Sequence, residues 1–192
     1  LTRNQLTVTE IQPLDGASAD DVRAKLALYT ANLSTLNSTA AAIADYVDGA
    51  GAPVSKQREI PFSSARKWGA IAFSDQTLIL GAPERVLKAG RDDAALRKAQ
   101  TLSMQGLRIM AFGRADAVPE DGQLADEREA LALIVLSDQV RDNIREVLDS
   151  FHEQDVALKV ISGDNLETVR AIAQQAGMTI NRAYTGDQIE AM

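Results

Sequence analysis

The apolar residues of this chain change their spacing near residue 128, and that change limits the folds open to it. After it, nearly continuous apolar runs alternate with helical patterns. Ala130 to Leu136 reads as a strand buried on both faces. Residues 139–151 read as a helix and Val156 to Ile161 as a second buried strand. Residues 165–176 read as another helix, closed by Gly177. Strand–helix–strand–helix is the signature of a parallel α/β sheet. Part of a Rossmann-like sheet is therefore expected from residue 129 onward. A partial sheet leaves unpaired strand edges, so residues beyond about 130 are expected to be less stable than the rest, or to dimerise.

Before residue 128 the pattern belongs to an α+β module. Residues 6–15 read as a strand ending near Pro13. Ser18 followed by Asp20 and Asp21 opens a helix over 18–31, because a hydroxyl caps free N–H groups and acids suit the first turn. A small-residue helix over 38–48 ends at Gly49-Ala50-Gly51. Arg58 to Phe62, Trp68 to Phe73 and Gln76 to Leu80 form an antiparallel meander. Pro83 to Ala89 is a short helix with proline in its first turn, residues 92–104 a longer one, and Leu107 to Gly113 a further strand. The polar stretch 115–129 is read as a loop. The fold class is thus α/β in the broad sense: an antiparallel α+β module followed by part of a parallel sheet.

Charge and composition remove several functions. The net charge of −7 repels phosphate backbones, so nucleic acid is a poor partner, although a few local cations can still hold a nucleotide. With no cysteine among 192 residues, thiol catalysis, disulfides and cysteine-ligated metal are excluded. The single histidine, His152, sits in a polar stretch and reads as a solvated helix-end residue; no metal site is expected. No run reaches the roughly 18 apolar residues that span a bilayer. The start, without methionine or turn, reads as that of an excised piece.

A few segments can carry chemistry. In Pro61-Phe62-Ser63-Ser64-Ala65-Arg66-Lys67-Trp68 an aromatic ring precedes a lysine by five residues on a strand–turn–strand element. A purine needs a flat apolar surface and its phosphates need cations; a core ring beside a solvated turn is the plainer reading. Leu80-Gly81-Ala82-Pro83-Glu84 joins a strand to a helix, where small residues admit a ligand or simply make a turn. Arg108 lies among apolar neighbours on a strand. Val160-Ile161-Ser162-Gly163-Asp164-Asn165 ends an apolar run directly before a helix, where ligands of open α/β sheets sit; Asp138 and Arg141 end the preceding one. Ser162 or Asp164 can equally be a helix cap. No Gly-Lys-Ser/Thr phosphate loop occurs.

In order, these segments resemble the P-type ATPase family over essentially the whole chain. Pro61 to Trp68 is similar to the family's nucleotide-domain signature, which implies that Phe62 stacks on adenine and Lys67 lies near the phosphates. Gly81-Ala82 resembles its Lys-Gly-Ala motif and Gly106-Leu107-Arg108 its Gly-Leu-Arg strand, which implies nucleotide contacts at Gly81, Ala82 and Arg108. Ser162-Gly163-Asp164 resembles the Thr-Gly-Asp motif, which meets the transferred phosphoryl group. Leu1-Thr2 resembles the end of the Asp-Lys-Thr-Gly-Thr-Leu-Thr loop, so the phosphorylated aspartate is implied to precede Leu1. The Mg²⁺-binding Gly-Asp-Gly-Val-Asn-Asp loop is implied to follow Met192.

Two departures stand out. Leu80 replaces the motif lysine, and Asn37 and Ala40 replace glutamates common in this region, leaving Asn37 to bond the adenine amine. The resemblance implies a nucleotide-binding domain over 1–128 and part of a phosphorylation domain, of the haloacid-dehalogenase type, over 129–192. It implies the cytoplasmic ATP-binding portion of a bacterial cation pump, using ATP and Mg²⁺. Its partners are implied to be the transmembrane and actuator domains of the same polypeptide. A fragment of this kind is catalytically incomplete, with an expected Kd for ATP on the order of 0.1–1 mM. The absence of a His-Pro pair speaks against a copper or zinc exporter and for a Ca²⁺-, Mg²⁺- or Mn²⁺-type branch. The alternative is a soluble phosphatase of the haloacid-dehalogenase type with a cap domain.

Overall fold

The computed structural model describes residues 2–14, 16–48, 53–117, 123–124, 126–140, 143–162 and 166–190. Its centre is one six-stranded antiparallel sheet. The strands are β1 (Thr2–Pro13), β2 (Arg58–Ser63), β3 (Trp68–Ala72), β4 (Thr77–Gly81), β5 (Arg108–Ala115) and β6 (Arg128–Val140), in the order β1-β6-β5-β4-β3-β2. The helices are α1 (Ala19–Ala31), α2 (Ser38–Tyr46), α3 (Pro83–Val86), α4 (Asp93–Met104), α5 (Ile144–Glu153), α6 (Leu166–Gln175) and α7 (Gly186–Glu190).

Helices cover both faces of the sheet. On one face Val22, Leu26 and Tyr29 of α1 and Ala42 and Ile43 of α2 pack on Ile71, Leu78, Leu80, Met110, Phe112, Ile134 and Leu136. Tyr29 meets Phe112 edge-on with ring centroids 6.0 Å apart, the arrangement aromatic quadrupoles favour. On the other face Val86 of α3 and Ala95 and Ala99 of α4 pack on Trp68, Ala70, Ile79, Ile109, Ala111, Leu133 and Val135. Within each strand, successive side chains supply the two cores in turn.

Local chemistry sets the boundaries much as the sequence predicts. The Ser18 hydroxyl accepts the Asp21 N–H at 3.1 Å and starts α1. The Asn37 side-chain Oδ1 accepts the Ala40 N–H at 2.9 Å and starts α2. The three-strand meander is present as expected.

Residues after 128 differ from expectation. The run Ala130 to Leu136 is not the first strand of a parallel sheet: it is the middle of β6, antiparallel to both β1 and β5. Its side chains are apolar throughout because helices cover both faces, and burial on two faces erases polar alternation whatever the strand direction. The antiparallel sheet therefore extends past the expected seam at 128/129, through Val140. Val156 to Ile161 joins no sheet, and Val156, Leu158, Val160 and Ile161 are exposed. An apolar run becomes a strand only beside a backbone that can complete its ladder. The helical readings hold better: α5 and α6 form, with His152 exposed in the last turn of α5. No residue of α5 is buried, whereas α6 rests on α4. There Gly106 (φ 85°) brings its backbone close enough to Ala171 that a Cβ would lie 3.1 Å from the alanine methyl.

Candidate functional site

Strand register gathers residues from distant parts of the chain at one end of the sheet. Ser63 lies opposite Trp68, Trp68 opposite Gly81, Gly81 opposite Ala111, Arg108 opposite Leu136, and Asp138 opposite Leu6. Phe62, Lys67, Gly81, Ala82, Arg108 and Asp138 therefore share this end. Two of them share a face as well. Arg108 alternates with Met110 and Phe112, which face α1 and α2, so it projects to that side and is half-buried.

Phe62 reaches the same face through a bulge. Glu59 opposes Ile71 and Ile60 opposes Ala70, but the register then shifts so that Ser63 opposes Trp68. The extra residue reverses the alternation and returns Phe62 to the α1–α2 side, where its ring is 41% exposed. Gly69 makes this possible. A Cβ there would lie 2.8 Å from the Phe62 nitrogen and 3.1 Å from its Cα. Nothing in the sequence reading singled out Gly69; a glycine inside a strand pattern is the signal that could have found it.

The turn between β2 and β3 is built from its own polar groups. Lys67 adopts a left-handed conformation (φ 61°), with its N–H on the Ser63 carbonyl at 2.7 Å and its carbonyl accepting the Ala82 N–H at 2.8 Å. Arg66 donates to the Pro61 carbonyl at 2.6 Å and lies 5.5 Å from the centre of the Trp68 ring. The Lys67 ammonium is 3.0 Å from Glu84 at the start of α3. It thus lies toward α3 and is not brought onto the Phe62 ring. Both side chains are more than half exposed, so the pair is weak and exchangeable.

Gly81 answers to packing. It faces Trp68, and a Cβ there would come within 2.5 Å of the Trp68 Cβ. Its missing side chain lets the Trp68 Cβ and the Lys67 carbonyl approach the β4 backbone. Ala82 caps the single turn of α3 with extended backbone. Arg128, whose guanidinium burial holds below its ordinary pKa, closes the other end of that turn by donating to the Val86 carbonyl at 2.7 Å and the Arg85 carbonyl at 3.2 Å. Leu80, at the position where the motif has lysine, is packed in the α1–α2 core at 5% exposure.

Asn37 is exposed and its side-chain Oδ1 is engaged as the cap of α2. The loop before it is fastened to β2 by a polar latch. The Glu59 carboxylate accepts from the Ser34 hydroxyl at 2.6 Å and the Ser34 N–H at 3.2 Å, and pairs with Lys56. Lys56 also donates to the Asn32 carbonyl at 2.8 Å. Burial pushes the Glu59 carboxyl up, but the bonds from Lys56 and Ser34 outweigh it and hold the group below its ordinary value of 4.5. This latch, three residues along the strand from Phe62, was not foreseen.

Ser162 is exposed at the end of the apolar run that joins no sheet. Gly163 and Asp164, the rest of that motif, lie outside the described residues, as does Arg141. Among the described residues no three His, Cys, Asp or Glu side chains cluster as a metal site requires. A groove of about 520 Å³ runs between α3 and α4, lined by Pro83, Glu84, Leu96, Arg97 and Met104 among others. It is on the face opposite Phe62.

Known proteins are similar to this chain in sequence and in fold. The family model "Hydrolase: haloacid dehalogenase-like hydrolase" matches residues 7–190. The calcium-transporting ATPase CtpE of Mycobacterium tuberculosis is 35% identical over 183 residues, which are 93% of this chain and 22% of that protein. The probable cation-transporting ATPase exp7 of Streptococcus pneumoniae is 33% identical over 189 residues, 96% of this chain and 23% of that protein. The chain thus spans less than a quarter of the length of these relatives. The crystal structure of a zinc-transporting PIB-type ATPase superposes with a TM-score of 0.58 over 93% of this chain and 26% of that one. At 18% identity that likeness is one of fold.

Proposed function

The chain belongs to the haloacid dehalogenase-like hydrolase family, and from that premise we propose that it is the ATP-binding portion of a P-type ATPase that moves a cation across a membrane. The motif resemblance to P-type ATPases is borne out by relatives named as calcium- and cation-transporting ATPases. The single observation that supports the proposed site is that strand register puts Phe62, Lys67 and Arg108 at the same end of the sheet, with Phe62 exposed by its bulge.

In this reading adenine stacks on Phe62, and Asn37 at the start of α2 bonds its amine. Arg108 and Lys67 steady the phosphates, Lys67 exchanging Glu84 for the nucleotide. Ala82 fixes the Lys67 backbone and Gly81 acts through Trp68. The γ-phosphate is presented to an aspartate outside this chain, and Ser162, Gly163 and Asp164 meet the transferred group. Mg²⁺ accompanies the nucleotide; the described residues offer no carboxylate cluster that would hold it. The division into a nucleotide-binding module and a phosphorylation module stands as part of the proposal, with β6 on the nucleotide side. A bacterial membrane protein with this portion in the cytoplasm, beside transmembrane and actuator domains, completes it; no described helix is long and apolar enough to cross a membrane.

An ATP titration followed by amide NMR shifts tests the site. Shifts clustered at Phe62, Lys67, Gly81 and Arg108, weakened by Phe62→Ala and by Lys67→Ala, are expected. Shifts confined to the α3–α4 groove would relocate the site.

A further inference from the structure

The turn between β2 and β3 carries two cations, and they are held differently. Arg66 is built into the turn: it donates to the Pro61 carbonyl at 2.6 Å and lies over the Trp68 ring. Lys67 is held at its tip by Glu84, at 3.0 Å. Main-chain bonds set up that contact. The Lys67 carbonyl accepts the Ala82 N–H at 2.8 Å, which ties the turn to the start of α3 and places Glu84 two residues further on. The Lys67 N–H is spent on the Ser63 carbonyl at 2.7 Å, and its φ of 61° turns the chain left-handed there. The backbones thus keep ammonium and carboxylate within reach of each other, while both side chains stay more than half exposed. Glu84 borders the groove between α3 and α4, on the face of the sheet opposite the one to which the bulge returns Phe62.

A phosphate on the Phe62 side can use Lys67 only by taking it from Glu84. The exchange leaves the Glu84 carboxylate unpaired, so the gain from the new contact is reduced by what the old one was worth. We infer that Glu84 is a competing counter-ion for Lys67: it weakens the binding of phosphorylated nucleotides, leaves the bare nucleoside unaffected, and reclaims Lys67 as the nucleotide departs. The inference rests on the nucleotide reading above and deepens it by assigning to Glu84 the regulation of that site. Exposed ion pairs are weak, so the handicap is severalfold and not orders of magnitude. Differences of that kind between related complexes lie mostly in dissociation rates. Glu84 therefore favours release of the nucleotide over tight holding.

The test titrates the 192-residue chain with ATP and, separately, with adenosine, and repeats both with Glu84→Gln, which keeps the side chain's length and removes its charge. Glu84→Gln is expected to tighten ATP by about two- to fivefold, the worth of an exposed pair, and to change adenosine by less than about 1.5-fold. Made in a Lys67→Gln background, the same substitution is expected to change ATP binding by less than about 1.5-fold, because no pair remains to be broken. ATP tightened by less than about twofold, or weakened, overturns the inference. So does a gain above about 1.5-fold in the Lys67→Gln background, which would make Glu84 a general repulsive charge, or a gain of that size for adenosine. Each of these leaves nucleotide binding intact. Absence of ATP binding by the unmodified chain and by Glu84→Gln alike overturns the nucleotide reading itself, and the inference with it.

Discussion

At the scale of single residues, the site depends on close backbone approach at two glycines, Gly69 and Gly81. Gly69→Ala drives a methyl into the Phe62 backbone at 2.8 Å. Neither strand can move without breaking its ladder, so a loss of about 1–3 kcal/mol in denaturant unfolding is expected. Gly186→Ala, with nothing within 4 Å of the added methyl at the start of α7, is the control, expected to lose no stability. Trp68→Ala removes the buried indole from the core beneath α3 and α4, and about 3–5 kcal/mol is expected to be lost. Glu59 gives a pH signature. Its folded-state pKa is depressed, so its contribution is fully present above the ordinary value of 4.5 and is lost as pH falls through the lower folded value. Stability of the unmodified chain should fall as pH drops below 4.5, and Glu59→Gln should remove part of that slope. An unchanged slope in the variant would mean that other carboxylates govern it. Residue type and order suffice to nominate Phe62, Lys67 and Arg108 as the proposed site. Gly69 and the Ser34–Lys56–Glu59 latch were not, because each acts through a partner some 7 to 25 residues away, and only strand register reveals it.

At the scale of elements, helices were legible and the role of apolar runs was not. Caps at Ser18 and Asn37 are local, so sequence suffices to place α1 and α2. Whether an apolar run becomes a central strand depends on which backbone lies beside it. β6 gains β1 on one side and β5 on the other; Val156 to Ile161, apolar but for Lys159, gains neither. The expectation of weakness beyond residue 130 therefore divides at Val140. Amide exchange should show residues 131–136 among the most protected in the chain and residues 156–162 among the least. Equal protection of both segments would contradict the pairing described here.

At the scale of the whole molecule, the sheet brings residue 2 opposite residue 140. A unit whose first and last strands are neighbours tolerates relocation of its ends. A circular permutant of residues 2–140, joined by a short Gly-Ser linker and opened at the exposed turn Ala89–Gly90, should fold with an unfolding free energy within about 2 kcal/mol of the unpermuted segment. Collapse of its cooperative transition would show that the pairing of β1 with β6 does not by itself organise the sheet. The same pairing has a mechanical meaning. A body attached through one strand can spin about its tether. Attached through two strands laced side by side, it is held by a ribbon, which bends readily across its flat face but resists both twisting and sideways shear. For any body attached beyond Thr2 and Val140, bending across the flat face of that ribbon is the easiest displacement, and the end of the sheet that carries Phe62 and Arg108 would share it.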